Sequence, residues 1–169
     1  VNLPLSDMAA LRAVGYYNRL PGFIDARQPD GGVDKDVNTG DRSGGRVALL
    51  VAPTEALKIT PRIVYQHLQT DGYPRADLWN ILGNPTGPLQ DQPANNFGEY
   101  EQYRQQKEGI DDKFTLGDLK IEYDFGGAAL VSNTSYTDRK VIVLRDASQL
   151  TGSVTIDLGA LQIAPFTVP

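Results

Sequence analysis

The chain has no cysteine, and it carries only one histidine, one methionine and one tryptophan. Without cysteine there are no disulfide frameworks, thiolate metal sites or thiol catalysis. A lone histidine leaves nothing for a triad, and no Gly-x-Ser-x-Gly elbow occurs, so no enzyme activity is expected. Basic residues are in deficit: the net charge is −5 and the isoelectric point about 4.8, so nucleic acid is not an expected partner. Long apolar runs are also missing. The longest, residues 47–53, falls far short of the ~20 residues a membrane helix needs. A membrane β-barrel remains open, because half of each of its strands is polar. The opening Val1-Asn2-Leu3-Pro4 has no initiator methionine and no visible signal segment, and reads as a piece of something longer.

What the chain does have is alternation of period two. Leu57, Ile59, Pro61, Ile63 and Tyr65 alternate with Lys58, Thr60, Arg62, Val64 and Gln66. That pattern is a strand with one apolar and one polar face. Comparable stretches predict five strands, at residues 8–19, 45–52, 57–66, 115–123 and 128–138. Pro61 offers no ladder donor, so a bulge or break is expected there. Residues 53–56 and Asp124-Phe125-Gly126-Gly127 are hairpin-sized turns. Residues 20–43, 67–113 and 139–169 read as long loops rich in Pro, Gly, Asp, Asn and Gln. A short helix is expected over 99–108, and short β-prone runs at 141–144 and 154–158.

Short and long connections therefore alternate, as in outer-membrane barrels with short periplasmic turns and long extracellular loops. On that reading Tyr17, Tyr65 and Tyr136 lie at the outer ends of their strands and Tyr123 at the inner end of its own, all on the lipid-facing parity. Such a girdle turns each ring to lipid and each hydroxyl to water. The plainer reading is that tyrosine is common in strands. Five strands do not close a membrane barrel, which needs at least ~8, so the chain is either part of a larger barrel or a soluble sheet.

Three blocks of sequence resemble TonB-dependent outer-membrane receptors. The first is Val1-Asn2-Leu3-Pro4-Leu5-Ser6-Asp7 with Ala9-Ala10-Leu11-Arg12 and Gly15-Tyr16-Tyr17. The second is Gly44-Gly45-Arg46-Val47-Ala48-Leu49, then Pro53-Thr54 and Ile59-Thr60-Pro61-Arg62. The third runs from Asp111-Asp112-Lys113-Phe114 through Glu122-Tyr123-Asp124-Phe125-Gly126 to Ser132-Asn133-Thr134-Ser135-Tyr136-Thr137-Asp138-Arg139. The resemblance implies an all-β fold: antiparallel up-and-down strands from a barrel of about 22, plugged by a separate globular domain. It also implies a Gram-negative outer-membrane location, lipid as a partner, and uptake of a scarce ligand, typically a ferric siderophore, driven by the TonB complex. The chain carries no plug domain and only part of such a barrel.

Candidate ligand contacts are Tyr73, Trp79, Tyr100 and Tyr103 in the longest loop, since exposed aromatic rings bind flat organic groups; packing of the loop itself is the alternative. Arg62, on the lumen-facing side of the third strand, and His67, just past its outer end, join them. Arg12, Arg46, Lys58, Arg62 and Lys120 with Asp118 and Glu122 form a mixed charged wall, either touching a plug or an anionic ligand or merely hydrated. Asp34-x-Asp36-x-Asn38 opens like a calcium loop, but Thr39 and Gly45 stand where Gly and Glu are required, so no metal site is expected. The carboxylate pairs Asp111-Asp112 and Glu99/Glu101 are not acid/base pairs, and no cofactor is implied. The competing reading is a soluble β-sheet ligand- or carbohydrate-binding module. The two differ over Leu11, Leu49, Ile59, Ile63 and Ile121, which face outward in a barrel wall and form a core in a soluble module.

Overall fold

A computed structural model of the chain describes residues 1–28, 30–77 and 97–148. Its elements are all strands: β1 (Asn2–Ser6), β2 (Ala9–Leu20), β3 (Asp25–Arg27), β4 (Val33–Asp34), β5 (Gly40–Val51), β6 (Leu57–Thr70), β7 (Glu101–Tyr103), β8 (Gly109–Asp124) and β9 (Ala129–Leu144). The fold is all-β and its main sheet antiparallel. The chain divides into two compact units.

The sheet unit comprises residues 1–19, 41–69 and 111–142. Six strands lie in the order β1-β2-β5-β6-β8-β9, which follows the chain, so the sheet is a meander with β1 and β9 at its edges. No closed barrel forms from these strands. β1 was not expected: Leu3 and Leu5 alternate with Asn2, Pro4 and Ser6, but the run is only five residues long and holds a proline. It pairs antiparallel with β2, Asn2 opposite Arg12 and Leu3 opposite Leu11, with an irregularity between Pro4 and Ser6. Proline is tolerated on such an edge. The β1–β2 turn lies beside the β5–β6 turn, since the Ala52 N–H donates to Met8 O at 2.7 Å.

The strands also run further than the alternation indicates. β5 begins at Gly40, β6 reaches Thr70, β8 begins at Gly109 and β9 reaches Leu144. The end of β9 takes in the β-prone run expected at 141–144, whereas the extensions of β5, β6 and β8 are largely polar, so hydrophobic period fails there as a signal. Cross-strand charge pairs take its place: Arg139 Nε and Nη2 donate to Asp112 at 2.9 and 2.6 Å, and His67 Nε2 lies 3.3 Å from Asp111. β6 runs through Pro61 without a break in the strand.

The loop unit comprises the described parts of residues 20–40, 70–110 and 143–169. The two long connections are not irregular throughout. They build a three-stranded sheet, β4-β3-β7, in which β3 and β7 are parallel and pair Ala26 with Gln102. The helix expected over 99–108 is replaced by β7 and turns. Its carboxylates are engaged locally: Glu101 accepts from the Gly98 N–H and Arg27, and Glu108 from the Asp146 N–H.

The buried hydrophobic residues among those described are Ile24, Ala26 and Val37, all in this unit. Asn38 closes that small core, its Oδ1 accepting from the Phe23 and Ile24 amides at 2.8 and 2.9 Å. Asp36 adopts φ 53°, a left-handed turn that aspartate tolerates better than most residues. Gly22 packs against this turn so closely that an added Cβ would meet Asp36 O at 2.3 Å.

Candidate functional site

The two faces of the sheet unit differ in chemistry because side chains alternate. On one face Val47, Leu49, Pro61, Ile63, Gly117, Leu119 and Tyr136 line a shallow apolar depression of about 520 Å³. Nothing described in the sheet unit covers it: Val47 is 50%, Ile63 63% and Tyr136 75% exposed. Leu11, Leu49, Ile59 and Ile121 are half-buried by their neighbours within the sheet, and none is fully buried. Nor does any residue of this unit join the buried hydrophobic core described above.

On the other face Arg12, Arg46, Ala48, Thr60, Arg62, Asp118, Lys120 and Asn133 line a depression of about 290 Å³. Arg62 Nε donates to Asp118 Oδ2 at 2.6 Å, and that carboxylate is only 5% exposed. Lys120 pairs with Glu122 at 2.9 Å. Tyr16 spans β5 to donate to Gln66 Oε1 at 2.8 Å. It does so across Gly44, where an added Cβ would lie 2.6 Å from the Tyr16 hydroxyl.

The four tyrosines occupy two levels of the sheet. Tyr17, Tyr65 and Tyr136 stand nine, nine and eight residues beyond Met8, Ala56 and Ala128, the residues at the short turns. Tyr123 is one residue from Asp124 at those turns and packs edge-on against Phe125 at 4.6 Å. Contrary to expectation, the first three are not at strand ends: their strands continue three, five and eight residues further, through the charge-paired extensions.

The residues expected to touch a ligand are divided between the two units. Arg62 and His67 belong to the sheet unit, whereas Tyr73, Tyr100 and Tyr103 belong to the loop unit. Trp79 lies outside the described residues. Arg62 is committed to Asp118. His67 faces Asp111, its Nε2 3.3 Å from the carboxylate. Tyr100 is 53% exposed and meets Phe23 edge-on at 5.9 Å. Tyr73 lies 5.6 Å from the Arg145 guanidinium, and Asp77 accepts from the Tyr103 amide at 3.0 Å. In the suspected calcium loop, Asp34 binds Gln28 and Arg104 and Asn38 the backbone amides above. Among the described residues no group of acidic or histidine side chains is arranged to hold a metal.

Sequence reasoning missed Asp146. Its carboxylate accepts from the backbone of Gln106 at 3.1 Å and Ser148 at 2.8 Å, and also from Gln105, while its own amide donates to Glu108. Ser148 is two residues on, but nothing in the local sequence marks the partners Gln105, Gln106 and Glu108, which are about forty residues away. Burial pushes this carboxyl up, but bonds from the Ser148 side chain and the Ser148, Gln105 and Gln106 amides outweigh it, leaving it below 3.8. Glu101 is held below 4.5 by the Gly98 amide and, against partial burial, by Arg27. Both folded values are depressed, so their contribution is present above the ordinary carboxylate range and is lost as pH falls through the depressed values. Hydrogen exchange at Gln105, Gln106 and Ser148 is therefore expected to accelerate below about pH 4 relative to the unpaired-amide rate. Unchanged protection down to complete protonation would show that these carboxylates do not hold the segment.

The chain matches no family model, no curated protein and no solved structure.

Proposed function

We propose that the chain is a wall segment of a TonB-dependent outer-membrane receptor that takes up a scarce ligand, most simply a ferric siderophore. The observation that carries this reading is the uncovered apolar face of a six-stranded meander whose opposite face is charged. A soluble sheet would bury that face against a second layer, and exposed apolar surface of this extent marks a partner or a membrane. The tyrosine levels support lipid as the partner. About eight residues separate them, ~27 Å along a strand and ~20 Å once tilted, which approaches the ~25 Å apolar band of outer-membrane barrels. The short turns gather at one end, as periplasmic turns do. The open edges of β1 and β9 await further strands, because unpaired edges are not tolerated in hydrocarbon. In this reading Tyr100 and the other aromatic residues of the long connections are the candidates for ligand contact.

The test is circular dichroism and aromatic fluorescence of the purified full chain, with and without detergent micelles. β-structure that appears only with detergent is the expected result. A cooperative thermal transition in plain buffer would overturn the membrane reading in favour of a soluble β-sheet ligand- or carbohydrate-binding module.

A further inference from the structure

We infer that Arg12 and Arg46 form a carboxylate-binding clamp on the charged face of the sheet. The depression there is lined by four cationic side chains and one carboxylate. The ion pairs sort these charges. Asp118 is occupied by Arg62, and Lys120 by Glu122 just beyond the rim. No ion pair or side-chain hydrogen bond engages Arg12 or Arg46 among the described residues, although both line the same depression from neighbouring strands, β2 and β5. The floor beside them is small and neutral, Ala48 and Thr60, leaving room for a group to enter.

Two guanidiniums sharing one depression without a counter-ion repel each other, and an anion placed between them removes that cost. Guanidinium is suited to planar, two-oxygen acceptors, and carboxylate matches it in shape as well as charge. The chain as a whole is acidic, at −5, so this local excess of positive charge runs against its general balance. The ligand chemistry is therefore a carboxylate, whether on a free polycarboxylate or on an acidic protein segment lying along this face. The clamp depends on the charged face alone and not on what covers the apolar one, so failure of detergent-dependent folding would overturn the membrane reading and leave this inference standing.

The test is calorimetric titration of the full chain, in whichever of micelles or plain buffer it shows β-structure, at low ionic strength with two probes, citrate and a hexaglutamate peptide. Binding of at least one probe is expected, weakened at least ~10-fold in the Arg12→Gln/Arg46→Gln double variant. Lys107→Gln, in the loop unit, should leave it unchanged. Ala48→Glu supplies a tethered carboxylate to the same depression and should abolish binding with the arginines intact. Its β-signal must equal that of the unaltered chain, which separates occupation of the clamp from misfolding. Binding of hexaglutamate without citrate assigns the site to an acidic segment, and the reverse to a free polycarboxylate. No binding of either probe, or equal binding by the double variant, overturns the clamp.

Discussion

Glu108→Ala is expected to loosen the loop unit by about 2–3 kcal/mol while the six-stranded sheet keeps its structure. The Glu108 side chain is fully buried, and its Oε1 lies 3.4 Å from Arg75 Nη1. The same oxygen accepts the Asp146 amide at 2.9 Å. Truncation deprives that amide of its acceptor and leaves Arg75, among the described residues, with the 3.4 Å contact to Asp77. Removing one member of a buried pair costs more than the pair contributes, because the remaining charge has already lost its water. Arg75 is a quarter exposed and its contact with Glu108 is long, which sets the figure below the upper range for such losses. Glu108 Oε2 has no hydrogen-bond partner among the described residues, which lowers the net value of the pair but not the cost of breaking it. Glu108→Gln retains an acceptor for the Asp146 amide and should cost about half as much. Hydrogen exchange at residues 105–108 and 146 provides the readout. Equal protection in the alanine variant would mean that Glu108 does not join these two stretches.

How much was legible in the sequence depended on what held each piece together. The middle of the sheet was readable because Val47, Leu49, Ile59, Ile63, Leu119 and Ile121 alternate with polar neighbours, and period two has one structural meaning. Both faces followed from that parity. The outer parts of β5, β6 and β8 were not readable, because they are joined by pairs such as Arg139 with Asp112, residues that look like loop composition until the register is known, and the end of β9 showed only as a separate β-prone run at 141–144. Counting outward from the Asp124-Phe125-Gly126-Gly127 turn would have brought those two into line. The parallel pairing of β3 with β7 was beyond reach for a different reason. Three-residue strands carry no period, and their partners lie more than seventy residues apart. The candidate site divided in the same way. The charged wall was visible from parity, but only the distances showed that Arg62 and Lys120 are neutralised and that Arg12 and Arg46 are not.

Ile63→Arg should distinguish lipid from water as the medium against the apolar face. Ile63 is 63% exposed within the chain and lies in the apolar depression with Val47, Leu119 and Tyr136. It stands two residues short of Tyr65, between the two tyrosine levels. If hydrocarbon covers this face, an arginine there must bring its charge out of water, at a cost of about 2–4 kcal/mol near the midplane and less toward either interface. If water covers it, an arginine replaces an exposed apolar residue, and the change should stay within about 0.5 kcal/mol. Thr60→Arg is the matched control. Thr60 lies three residues away on the same strand, but it lines the charged depression on the other face. In either medium an arginine at Thr60 meets a polar setting, and its cost is limited to repulsion from the cations already present, screened by salt. Urea titration of the full chain in micelles gives both values. A midpoint lowered for Ile63→Arg but not for Thr60→Arg is the signature of a wall with lipid outside and water inside. Equal midpoints would remove lipid from the apolar face, and with it the main support for a place in the outer membrane.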